Sequence, residues 1–381
     1  MSTTFEQAKP RTETPFRHDI VGSFLRPEAL KEARRKFRDG EISSAELKAV
    51  EDREIARLVG KQKEAGLRAV TDGEFRRSWW HLDFMWELDG VEKAVADKGY
   101  PFLGAETRAE TARLNGKIGF TRHSFVGHFK FLKEIAGEDV VARQTIPAPA
   151  QLLAELQRPE NQASTEAIYG DAGELVSDIA KAYKAAILAF YEAGCRSLQL
   201  DDCTWGMLVD QGYRDGLRRQ GIDPADVAEL FARVNREAVA GLPADLIVAT
   251  HVCRGNYHST WASSGGYEPI AETLFGIDGV SAYYLEFDTD RAGDFAPLRF
   301  VKEDRQVVLG LHSSKFGELE DKEAIVGRIR EATKYVDLDR ICLSPQCGFA
   351  STEEGNVLTE EQQWRKLRFI KEIADEIWSR S

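Results

Sequence analysis

Nowhere in the 381 residues does an apolar run approach the ~18 consecutive residues that a membrane-spanning helix needs. The opening stretch, MSTTFEQAKPRTETPF, lacks the apolar core of a secretory signal. No Lys/Arg-rich stripe or aromatic-interleaved basic patch occurs, and the formal net charge is −12. This balance argues against a nucleic-acid partner, and the acidity reads as a solubility property. The five cysteines (Cys195, Cys203, Cys253, Cys342 and Cys347) are few and odd in number. They suit reduced thiols in the cytoplasm better than a disulfide framework. No G-x-G-x-x-G follows an early strand, which weighs against a dinucleotide-binding sheet. Internal repeats and low-complexity linkers are also missing.

What is present is an alternation of short apolar runs with longer amphipathic ones. The runs expected as strands are 20–24, 69–75, 140–146, 197–202, 246–253, 282–287, 306–313 and 341–347. Helical periodicity covers 44–65, 173–193, 224–240, 321–335 and 359–378, with apolar residues at i, i+3 and i+4. Strand–helix alternation repeated about eight times predicts an α/β fold, a single (β/α)8 TIM barrel. Residues 1–15 are polar and patternless and are expected to form a loose arm before a barrel spanning 16–381. Residues 76–139 break the pattern and are expected as an insertion after the second strand. Alternation within 122–132 suggests that it contains hairpins.

In such a barrel, chemistry gathers at the C-terminal ends of the strands. The unusual polar residues fall at those ends: Gly22-Ser23, Asp72-Gly73-Glu74, Asp201-Asp202, His251-x-Cys253, Glu286, His312-Ser313-Ser314 and Cys347. In a strand, i and i+2 face the same side, so His251 and Cys253 enter one space. Cys347 is flanked by Pro345 and Gly348, as in a turn that aims a thiol. Glu286 ends an apolar run, where a carboxylate needs a partner. Two thiols, an imidazole and a carboxylate predict a tetrahedral zinc shell of His251, Cys253, Glu286 and Cys347. Cys195 and Cys342 read as core, and Cys203 reads as packing in preference to lining the site. Asp72, Asp202 and Asp288 read as helix caps or as site neighbours. His258 reads as pocket or loop packing. His18, His81, His123 and His128 read as structural.

The segments Thr250-His251-Val252-Cys253-Arg254-Gly255-Asn256 and Leu343-Ser344-Pro345-Gln346-Cys347-Gly348-Phe349 carry a family resemblance. The chain resembles the C-terminal catalytic barrel of cobalamin-independent methionine synthase, and more closely that family's short single-barrel bacterial homologues. The likeness runs from Ile20 to the last helix. It implies zinc on the same four residues and transfer of a methyl group to the thiol of homocysteine. It further implies that Gly22 and Ser23 hold the homocysteine carboxylate, that Glu74 and Asp201 hold its ammonium, and that His312 protonates a folate leaving group. At 381 residues the chain is expected to be too short to hold the second, N-terminal barrel of the long synthases. No tryptophan in 145–153 matches the one that faces their folate ring. The donor, methylfolate or methylcorrinoid, is therefore left open.

Three rival functions follow from the same residues. An alkyltransferase acting on another thiol, such as an epoxyalkane:coenzyme M transferase-like enzyme, would want an Arg-rich pocket in place of paired acids. A hydrolytic zinc barrel would favour His and carboxylate ligands over two cysteines. A structural zinc would sit in a C-x-x-C knuckle and not at a barrel rim.

Overall fold

The computed structural model describes residues 11–378. A parallel sheet of seven strands curls through it in simple sequential order. These strands are β1 (Ala69–Val70), β2 (Val141–Pro147), β3 (Ser197–Asp201), β4 (Ile247–Val252), β5 (Ala282–Glu286), β6 (Gln306–His312) and β7 (Ile341–Pro345). Most of their residues are buried on both faces, as expected of a parallel sheet with helices outside and side chains inside. One small cluster fills the inside: Val21, Ala249, Ala282, Tyr284, Val308 and Cys342.

The outer helices lie where the periodicity places them: Ser44–Glu64, Ala172–Glu192, Pro224–Val239, Lys322–Ala332 and Glu360–Ile377. The first and last of these start with reciprocal capping boxes, Ser43 with Glu46 and Thr359 with Gln362. Helices that were not expected from the pattern include Glu28–Arg38, Pro149–Leu156, Pro159–Ile168 and Gln211–Arg219.

Two expectations are corrected. Residues 20–24 do not form a strand. The chain before them makes one parallel bridge, His18 to Leu343 on β7, and Phe24 then donates its amide to Gly73. This segment carries a buried carboxylate, Asp19, clamped by Arg143 of β2 at 2.8 and 2.9 Å. Residues 122–132 do not form a hairpin either, because the helix Ser124–Ala136 occupies them, capped by the His123 ring. The rest of 76–139 holds an antiparallel pair, Asp89–Val95 with Glu110–Gly119, and a small hairpin, Pro101–Phe102 with Ala105–Glu106. Residues 1–10 of the expected arm lie outside the described residues; of its remainder, Thr14 and Pro15 are buried.

Candidate metal centre and cavity

At the C-terminal end of the sheet lies a cavity of about 340 Å³. Ser23, Glu74, Asp201, His251, Cys253 and Cys347 stand on its wall. β4 delivers His251 and Cys253 from one face of its end, and the turn after β7 delivers Cys347. The three ligand atoms lie within 4.8 Å of one another, and all three residues are buried. Tautomer and orientation of His251 follow from its neighbour. Nδ1 lies 3.2 Å from the Tyr284 carbonyl and donates to it, which leaves Nε2 as a buried lone pair with no partner. An orphaned imidazole nitrogen beside two thiols is a donor set that fits a soft or borderline divalent cation such as zinc.

Cys203 belongs to the same sulfur cluster, its Sγ 3.6 Å from that of Cys253. Gly206 makes this approach possible, since a Cβ there would stand 2.0 Å from the Cys253 carbonyl oxygen. Hydrogen bonds from Cys203 and then Cys347 lead in holding the Cys253 thiol well below its ordinary pKa. The thiols of Cys203 and Cys347 are pushed up correspondingly.

Glu286 is not brought into the group of three. Its Oε1 accepts from Arg291 at 2.8 and 3.2 Å, and its Oε2 from the Arg254 amide at 2.9 Å. The same Arg291 holds Asp288 at 3.2 Å and lies over the Trp261 ring.

The acids expected to hold an ammonium do face the cavity. Glu74 sits in left-handed backbone (φ 61°), an unusual conformation for a residue with a side chain. Its Oε1 accepts from Thr145 Oγ1 at 2.9 Å and pairs with Arg77 at 3.2 Å, while Oε2 is buried and unpartnered. Burial raises its pKa. Asp201 accepts from Gln199 at 2.8 Å, and burial, with the charge of Glu74, pushes it up to about 7. Ser23 is locked against the Cys347 turn, because Phe349 donates its amide to the Ser23 carbonyl at 2.9 Å. Gly22 is not on the wall; its carbonyl accepts from Thr71.

His312 departs from expectation. It does not line the cavity, is wholly buried, and packs 5.9 Å from Phe369 on the outer helix Glu360–Ile377. The register of β6 shifts between Gly310 and His312, and one extra residue there exchanges the inward and outward faces. Burial and the Lys366 ammonium push its pKa down to about 3, so the ring is neutral. Asp202 is bound by Thr204 and Asn235, and Asp72 by the Glu74 amide, so both serve local structure. The sequence reading missed Lys315, whose buried ammonium has no hydrogen-bond partner and acts electrostatically on Cys347. It also missed the aromatic wall that 76–139 contributes, Trp79, Trp80, His81, Tyr100 and Phe102. The run Trp79-Trp80-His81, which begins five residues after Glu74, was the signal available. The small hairpin is pinned over the cavity by the Leu103 amide, which donates to Trp261.

All five cysteines are free, and among the described residues no helix is long and apolar enough to cross a membrane. Residues 16–100 and 167–373 match the family model described as the catalytic domain of cobalamin-independent synthase. An uncharacterized Bacillus subtilis protein, YxjH, is 49% identical over 98% of this chain and 97% of its own length. The methionine synthase of Saccharolobus solfataricus is 24% identical over 86% of each chain. A Listeria monocytogenes structure, provisionally assigned as a vitamin-B12 independent methionine synthase, is 40% identical. It superposes with a TM-score of 0.74 over 98% of this chain and 99% of its own. The family model spans more than half of the chain and the 49% identical relative nearly all of it, so the chain belongs to the cobalamin-independent methionine synthase catalytic-domain family.

Proposed function

We propose that this chain is a zinc-dependent methyltransferase that methylates the thiol of homocysteine. The observation that carries the reading is the trio His251, Cys253 and Cys347 on the wall of a cavity that also presents Glu74 and Asp201. We read the fold as a (β/α)8 barrel over 16–381 with an irregular first stave and an insertion at about 76–139, working in the cytoplasm. His251, Cys253 and Cys347 would hold the metal, with Glu286 joining when Arg291 releases it. Zinc so bound supplies one thing: it keeps a substrate thiol deprotonated at neutral pH.

The chain's own residues do the rest. Glu74 and Asp201 select an ammonium by charge and hydrogen bonding, and the unpartnered Glu74 Oε2 is an acceptor held ready for it. Ser23, fixed by the Cys347 turn, positions the substrate carboxylate, and Gly22, off the wall, shapes the backbone that presents it. Burial of the sulfur cluster excludes water, which favours thiolate attack on a methyl group over hydrolysis. His312 is walled off from the cavity and is not assigned a proton-transfer step. The paired acids weigh against a sulfonate-bearing thiol such as coenzyme M, which would want cations in their place.

The test is X-ray absorption on zinc-loaded protein with and without homocysteine. One zinc per chain whose shell gains a sulfur is expected, with methionine formed when a methyl donor is added. Glu74→Gln should raise KM for homocysteine at least ~10-fold, about the worth of one charge-assisted hydrogen bond, with zinc content unchanged. A zinc shell indifferent to every thiol would sink the proposal.

A further inference from the structure

Beside the metal trio stands a hydroxyl with no assigned work. Ser351 lines the cavity, and its Oγ lies 3.9 Å from the Cys347 sulfur. Either atom could give the hydrogen in that contact, but the surrounding network leaves one direction. It starts from the Ser259 amide, which donates to Asn356 Oδ1 at 2.8 Å and so fixes the orientation of that side chain. Asn356 Nδ2 then donates to the Ser314 carbonyl at 2.9 Å and to Asn256 Oδ1 at 2.8 Å. Asn256 is oriented in turn, and its Nδ2 donates to the Gly348 carbonyl at 2.7 Å and to Ser351 Oγ at 3.3 Å. A hydroxyl that accepts from Asn256 keeps its single proton for another acceptor. Among the described residues that acceptor is Cys347. The Trp80 amide, 2.8 Å from the Ser351 carbonyl, holds the residue in place from the insertion.

We infer that Ser351 is a positioning residue that donates its hydroxyl proton to the Cys347 sulfur and keeps that sulfur from taking the methyl group meant for the substrate thiol. The inference rests on the methyl-transfer reading. Once Cys347 holds the metal it is a thiolate with no proton to give, so the direction set by the amides is also the one the charge demands. A loaded site then presents the sulfurs of Cys253, Cys347 and the substrate to one electrophile. Attack by any of them forms an S–CH3 bond, while the donor's bond to the methyl breaks and its electron pair leaves with the donor. At Cys347 the product is a thioether, which has lost the charge that held the metal, and turnover ends. A hydrogen bond into the sulfur stabilises its lone pair, and thiolate nucleophilicity falls with basicity. The substrate sulfur receives no such bond from Ser351, whose proton is committed. Cys253 has a different neighbour, the Cys203 thiol at 3.6 Å, and so serves as the internal reference.

Two matched pairs test this: wild type against Ser351→Ala, and Ser351→Thr against Ser351→Val, each pair differing in the hydroxyl. Cobalt(II) loaded in place of zinc reports on the sulfurs through its near-ultraviolet sulfur-to-metal charge-transfer band. Loss of the hydroxyl should move that band to longer wavelength in Ser351→Ala and Ser351→Val, while Ser351→Thr keeps the wild-type position. Zinc-loaded samples are then exposed to iodomethane without substrate, and peptide mass spectrometry follows each cysteine. Cys347 should be methylated ~3-fold faster without the hydroxyl, the factor by which thiolate reactivity follows a roughly tenfold change in basicity. The Cys253 rate should stay the same in all of these proteins. An unmoved band, or equal Cys347 rates, in both pairs overturns the assignment of Ser351. So does a rise at Cys253 equal to that at Cys347. A wild-type cobalt protein with no charge-transfer band, or a wild-type zinc shell that gains no sulfur with homocysteine, shows instead that the underlying reading has failed.

Discussion

Asn256 donates its side-chain amide to the Gly348 carbonyl at 2.7 Å, joining the loop after Cys253 to the turn that carries Cys347. Its Oδ1 in turn accepts from Asn356 at 2.8 Å. The two cysteines come from strands that are not adjacent in the sheet, so their separation depends on such ties. Asn256→Ala should weaken zinc affinity by roughly 10–100-fold, the usual effect of losing a residue that orients ligands. Chelator competition measures this. A variant that binds zinc as tightly as wild type would show that the strand ends alone position the sulfurs.

Arg291 competes with the metal for Glu286. Arg291→Met leaves a fully buried carboxylate without its cation, which should destabilise the metal-free protein by about 3–5 kcal/mol. The released Glu286 should then bind zinc more readily, so the variant should gain zinc affinity and recover stability when loaded. Denaturant melts of metal-free and loaded protein test both halves. Loss of zinc affinity would mean that Arg291 supports the site and does not restrain it.

Gly206 is where the short helix Thr204–Leu208 touches the end of β4. A methyl group at Gly206→Ala would stand 2.0 Å from the Cys253 carbonyl oxygen, a clash with backbone that no side-chain rotation relieves. Zinc stoichiometry should fall well below one per chain. Gly127→Ala is the control: it lies in the helix Ser124–Ala136 with nothing within 4 Å, and should stabilise by about 0.5–1 kcal/mol. Full zinc loading of Gly206→Ala would contradict the account.

His312 should make stability depend on pH. Its pKa is near 3 folded and about 6.5 unfolded, so below about 6.5 the unfolded chain takes up the proton first. The contribution of the neutral ring is whole above pH 6.5 and is lost as pH falls toward the folded value. The stability gap between wild type and His312→Gln should therefore shrink by about 1.4 kcal/mol per pH unit between pH 6 and 4.5. Urea midpoints at several pH values measure the gap, and a constant gap would refute a buried neutral His312.

Much of this protein was legible without coordinates. Seven of eight strands and five long helices follow from periodicity, because burial on both faces of a parallel strand and one face of a helix leaves a mark in composition. His251-x-Cys253 was legible because two residues in one strand face the same way by local geometry alone. The expected first strand, 20–24, does not form, because this segment is held by single bonds to its neighbours and the Asp19 just before it enters a buried ion pair with Arg143.

The sequence by itself determined the strand-end placement of the polar residues and hence the joining of His251, Cys253 and Cys347 in one cavity with Glu74 and Asp201. Only the tertiary structure decided which neighbours compete for them. Arg291 takes Glu286, Cys203 leans on Cys253, and the insertion brings Trp79, Trp80 and His81 to the same cavity. A bulge in β6 turns His312 outward, a one-residue change in register invisible to a periodic reading. The physical reason is common to all four: local periodicity fixes which face a side chain leaves from, and long-range packing fixes what it meets.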